Sequence, residues 1–155
     1  YPPRVWLGQH VLREGGVVIG LHPSDGTIDP ETYPSYREVI DLYNQHHSIH
    51  ELARYQDEIS SRADYLAKYR DGHAFHPIHP FFLLYSCDYI LTRASAVILA
   101  GTRNPGAFRQ LGITPASDFA QAWAVATRIV GATPTTVVAP SYWSRRPFKF
   151  DVAKE

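Results

Sequence analysis

Hydrophobic and polar positions along the chain sort into stretches of helical period and short, nearly unbroken apolar runs. Residues 17–21, "VVIGL", make the first run, of strand length and apolar enough to be covered on both faces. Ahead of it, "RVWLGQHVLR" (4–13) places Leu7 and Val11 four apart and Val5 and Leu12 seven apart, the spacing of a short helix that Gly15-Gly16 would stop. His22 to Pro34 holds three prolines and Gly26, and predicts a long loop. Helices are expected over 35–45, 48–56 and 57–70, with Ser48 and Asp57 as caps and Gly72 closing the set.

After the proline-broken "HAFHPIHPFF", residues 81–93 predict an aromatic-rich helix, and "AVILAG" (96–101) a second buried strand. Ser117 or Asp118 would cap "DFAQAWAVATRIVG". In that helix Phe119, Ala122, Trp123, Ala126, Ile129 and Val130 form one apolar face, ended by Gly131. "TTVVAP" (135–140) reads as a third strand and "SYWSRRPFKF" as a tail with aromatic anchors. Strands separated by helices imply parallel crossovers. The expected fold is therefore α/β, a layered, mostly parallel sheet flanked by helices, with ligands favoured at the carboxyl ends of the strands.

Composition narrows the function classes. The 155 residues are 45% hydrophobic and 19% charged, a globular balance for one domain. Fifteen basic and fifteen acidic side chains cancel, with no basic stripe, so neither nucleic acid nor an anionic membrane is an expected partner. No apolar stretch reaches membrane-spanning length, and no signal pattern opens the chain. The single cysteine, Cys87, excludes an internal disulfide, reads as a small buried thiol within a helix and suits the cytoplasm. The chain starts at Tyr1 and contains no methionine, so it reads as part of a larger protein.

Two segments carry candidate chemistry. "HPSDG" (22–26) follows the first strand, where it is either a turn held by Ser24 and Asp25 or part of a site containing His22, Ser24 and Asp25. The glycine pair precedes that strand instead of following it, which is the wrong order for a dinucleotide fingerprint, and no P-loop occurs. Histidines form the second signal. His46 and His50 lie four apart. His73, His76 and His79 recur every third residue, and in an extended polyproline-type segment all three would point one way, as ligands for zinc or nickel; surface or structural roles are the other reading. "GxSxG" and "HExxH" are absent, and the six tyrosines between 33 and 69 fit amphipathic packing.

The order of the segments adds a resemblance. "LREGGVVIGLHPSDG", a multi-helix insertion, "HPFFLLYSCDYILTRASAVILAG", "LGITPASDFAQAWAVATRIVG" and "TTVVAP" together resemble the C-terminal domain of the lactate racemase family, which uses a nickel-pincer nucleotide. The resemblance covers nearly the whole chain and implies one half of a two-domain enzyme with its active site in the cleft between the domains. It implies racemisation or epimerisation of a small 2-hydroxy acid by hydride removal and return. The cofactor, its tethering lysine, the nickel-binding histidine and the proton-transfer histidines would belong to the chain's own N-terminal domain, so this chain alone would be inactive. By the same resemblance a helix before the glycine pair would contact substrate through a glutamine and a lysine, but the Tyr-Gln-xx-Lys pattern is missing. Arg4 is the nearest basic residue and Gln9 the nearest amide, at a different spacing, which bears on substrate choice. An aromatic covering the cofactor would correspond to Phe81 or Phe82, in place of a tryptophan. A different class of reading is a self-contained α/β ligand- or metal-binding module using His73, His76 and His79.

Overall fold

The computed structural model describes residues 12–138 and the backbone of two short strands ahead of them. Those strands, β1 (Val5–Trp6) and β2 (Gln9–His10), pair antiparallel where a helix over 4–13 was expected. Only Leu7 and Gly8 separate them in sequence, a hairpin spacing, and an interior glycine disfavours the helix.

Three parallel strands form the main sheet in the order β3 (Val17–Leu21), β4 (Ala96–Ala100), β5 (Thr114–Ala116). Val17 faces Ala96, Ile19 faces Ile98 and Leu21 faces Ala100, while Ile98 and Ala100 also face Thr114 and Ala116. Alternation then puts Val17, Ile19, Ile98, Ala100 and Ala116 on one face of the sheet. That face packs on helix α6 (Phe119–Val130), and with Ala122 and Ala126 it makes the sheet core, in which Ile98 is fully buried.

Between β3 and β4 the chain inserts α1 (Tyr36–His46), α2 (Ile49–Ser60), α3 (Ala63–Arg70) and α4 (His79–Arg93); α5 (Pro105–Gln110) joins β4 to β5. Two right-handed crossovers stepping the same way across a sheet fall on one face. The insertion and α5 accordingly share a side, where Leu111, just past α5, packs against the helical core of Val39, Tyr43, Ile49, Leu52, Ile59 and Phe81. The chain is thus an α/β domain with a core under α6 and a second core within the helical insertion. Among the described residues no helix is long and apolar enough to cross a membrane.

Several sequence expectations are corrected in detail. Asp57 caps nothing: α2 runs through it because Leu52 and Ile59, seven apart, keep the buried face going, and the helix breaks at Ser61 and Arg62. Ser48 does cap α2, its hydroxyl accepting from the Glu51 N–H at 3.3 Å. Helix α4 starts at His79 instead of residue 81, since Pro80 in the first turn loses no helical hydrogen bond. A turn at Pro77 and Ile78 therefore replaces a continuous extended run through the three histidines.

The third strand is β5, not 135–140. Residues 135–138 form no strand, with Val137 and Val138 mainly exposed, and residues 139–150 lie outside the described residues. Both α5 and β5 escape a sequence reading because six and three residues are too few to show a period, and β5 contains Pro115. On α6 the buried positions are Ala122 and Ala126, while Phe119 and Ile129 are exposed, so the face that meets the sheet is narrower than expected. Small side chains there let the helix approach the strands closely. Cys87 is half-buried, not enclosed.

Phe81 is fully buried and Phe82 is 52% exposed, which separates their roles. Phe81→Ala should cost about 3–5 kcal/mol of stability through a cavity, and Phe82→Ala about 1 kcal/mol or less. Urea unfolding of the two variants checks this.

Candidate functional site

The loops at the carboxyl ends of the three strands are tied together by backbone. His22 N–H donates to the Ala100 carbonyl at 3.1 Å, and Gly101 N–H donates to the Ala116 carbonyl at 2.9 Å, which carries the sheet ladder one residue past the strands. Beyond that, the Ser24 carbonyl accepts two hydrogen bonds from the loop after β4: Arg103 N–H at 2.9 Å and the Thr102 hydroxyl at 2.7 Å. "HPSDG" and "GTRN" thus form one crest. Behind it, Gly26 has φ +72°, and a Cβ there would lie 2.9 Å from the Ala107 side chain. No other residue fits both the left-handed backbone and the contact.

The side chains of the crest divide by what they are bonded to. Asp25 Oδ1 accepts from both the backbone N–H and the hydroxyl of Thr27, at 2.9 and 2.7 Å. These bonds, more than the positive field of nearby Arg103, hold its carboxyl below the ordinary 3.8. His22 and Asp25 are exposed and Ser24 is half-buried. Arg103 is exposed, and among the described residues its guanidinium makes no ion pair. Sequence reasoning missed Arg103. Its only signal was its place, three residues past a buried strand.

Gly15 N–H donates to the Arg93 carbonyl and Ser95 N–H to the Gly16 carbonyl, which puts the end of α4 beside the amino end of β3. From there the helix of 15 residues runs back about 22 Å, packed on α1 and α2. The loop leaving the crest reaches it too, for Phe75 N–H donates to the Thr32 carbonyl at 3.0 Å.

The three spaced histidines are not brought together as a ligand set. His73 is exposed. His76 Nδ1 accepts from Ile78 N–H at 3.2 Å, with its ring edge-on to Tyr69. His79 stacks on Phe75 at 5.0 Å and its Nδ1 meets the Tyr36 hydroxyl. Burial and the neighbouring Tyr33 push the Tyr36 hydroxyl up to about 12, so it stays protonated and able to donate to that nitrogen. Among the described residues no three His, Cys, Asp or Glu side chains are grouped to hold a metal ion. His46 pairs with Tyr55 at 3.0 Å. Of the two phenylalanines only Phe82 presents a ring to solvent, one turn along α4 from His79. Arg4 lies outside the described residues.

Two open grooves, of about 430 and 550 Å³, run along α1 instead, both lined by Arg37, Asp41 and Gln45. Arg37 is already paired with Asp41, and Glu38 with Arg62 and Tyr65, so their charges are largely spent within the helical layer. The crest has the better claim as a site, because its charged groups are held by backbone and left open to a ligand. No family model matches this chain, and neither does any curated protein or solved structure.

In the folded protein Asp25 should titrate below 3.8, and Thr27→Val should move it back toward that value, as read by its carboxyl carbon shift in NMR. Because the folded value is the lower one, the Thr27 bonds favour the folded crest above the unfolded pKa. That contribution disappears as pH falls through the folded pKa. Gly26→Ala should destabilise by more than about 1 kcal/mol, since the left-handed backbone and the close contact act together; thermal unfolding measures it.

Proposed function

We propose that this chain is the C-terminal, substrate-side domain of a lactate racemase-like enzyme that racemises or epimerises a small 2-hydroxy acid, and that it is inactive by itself. The observation that supports this most directly is the joining of "HPSDG" and "GTRN" through the Ser24 carbonyl at the carboxyl ends of β3 and β4. The first of these segments and the stretch leading into the second carry the family resemblance. In an open parallel sheet this edge is where ligands sit.

In this reading an upstream domain supplies the opposite wall of the cleft, with the cofactor and the histidines that move the hydroxyl proton. When bound, the nickel-pincer nucleotide supplies the hydride acceptor. The described residues of this chain do not fit a nickel centre, because no three-ligand group exists among them, so no step is assigned to a metal here. What this chain contributes is binding and exclusion of water. Phe82, exposed at the start of α4, is the aromatic able to cover a planar group across the cleft, and buried Phe81 supports the helix beneath it. The crest holds polar groups fixed by backbone bonds, the kind of preorganisation that a positioned hydride transfer requires.

Intact mass of the native parent should show an upstream domain with an adduct on one of its lysines. The purified parent should then interconvert the enantiomers of at least one 2-hydroxy acid, as followed by chiral chromatography. The isolated 155-residue chain should not. In the parent, Phe82→Ala should lower kcat/KM about tenfold or more, by loosening the position of the reacting groups, while costing no more than about 1 kcal/mol of stability. A parent with no adduct and no racemisation of any 2-hydroxy acid tested overturns the reading.

A further inference from the structure

We infer that Arg103 and Asp25 form a recognition pair for a carboxylate that bears a hydrogen-bond donor on its adjacent carbon, Arg103 taking the carboxylate and Asp25 the donor. This deepens the racemase reading and rests on it for the 2-hydroxy acid class. A small carboxylic acid bound at the strand ends needs a cation there. Among the described loops on that side, residues 22–34, 71–78, 101–104 and 117–118, Arg103 is the only arginine or lysine.

Its surroundings suit the role. The Arg103 backbone is locked to the Ser24 carbonyl, while its side chain is exposed and unpaired with any described acid. Asp25 directly follows Ser24, whose carbonyl holds the Arg103 backbone N–H at 2.9 Å, and its Oδ1 is occupied by the two bonds from Thr27. Oδ2 is left as an acceptor, with no bond to another described residue. A guanidinium carried by one of two loops bonded backbone to backbone, and an open carboxylate oxygen carried by the other, are together complementary to a carboxylate with a neighbouring O–H or N–H. A plain fatty acid would satisfy only Arg103.

The test is a titration of the ¹⁵N-labelled 155-residue chain with lactate, glycerate, malate, alanine and propionate, following the Arg103 Nε–H and the Ser24 and Asp25 amides. At least one hydroxy acid should shift all three resonances and bind more tightly than propionate. Arg103→Ala should weaken it about tenfold or more, Arg103→Lys should restore only part of that loss, and Asp25→Asn should narrow its margin over propionate. Arg103 is exposed and supports no described contact by its side chain, so its variants should keep the wild-type circular dichroism and melting profile. Hydroxy-acid binding undiminished in Arg103→Ala overturns the inference and leaves the racemase reading standing. Shifts from alanine alone, lost in Arg103→Ala, keep the recognition pair and overturn the 2-hydroxy acid reading. No shift at the crest with any of the five overturns the pair.

Discussion

Strand β4 is paired along both edges, and the rest of the domain depends on that double pairing. It pairs with β3 along its whole length and with β5 over Ile98–Ala100, and Ile98 at its centre is fully buried. A central strand of this kind has no tolerance for register error, because a shift of one residue would turn Ile98 and Ala100 away from α6. The in-register ladder also fixes the two loops that form the crest. Once Leu21 lies opposite Ala100, the residues that follow each strand emerge side by side, and Ser24 can accept from Thr102 and Arg103.

The helical insertion is a second packing unit attached to this frame. Its core is built on Phe81, Leu52 and Val39, all fully buried, and shares no buried residue with the core under α6. Polar and aromatic contacts at its edge tie α1 to α4: Tyr36 meets His79, Tyr33 stacks on Phe75 at 5.0 Å, and Phe75 stacks on His79. These contacts explain the histidine and tyrosine richness of the segment in terms of packing and paired ring nitrogens. They also hold the first turn of α4, which carries Phe82, against the start of α1.

The crest itself illustrates how little a parallel sheet needs in order to present chemistry. One carbonyl accepts two donors, one glycine permits the close turn, and two side chains of opposite charge are left facing outward. Of the two readings the sequence allowed for "HPSDG", the turn is the one on view: Asp25 Oδ1 accepts from both the backbone N–H and the hydroxyl of Thr27.

Much of the fold was legible locally. The β-branched run at 17–21, the apolar run at 96–100, the Ser48 cap and the Asp118 cap, which accepts from Gln121 N–H at 2.8 Å, are all set by residues within four positions of one another. The alternation of such segments was enough to give parallel crossovers and an α/β fold. Other features were decided only by tertiary structure. Ser24 and Thr102 are 78 residues apart, and Tyr36 and His79 are 43 apart. No periodicity connects such positions, so neither the crest with Arg103 nor the separate partners of His76 and His79 could be read from the sequence. Phe81 and Phe82 show the same division at one step in sequence. Both are helix-compatible aromatics to a local reading, and only the packing of α4 against α1 and α2 decides which is buried and which is exposed.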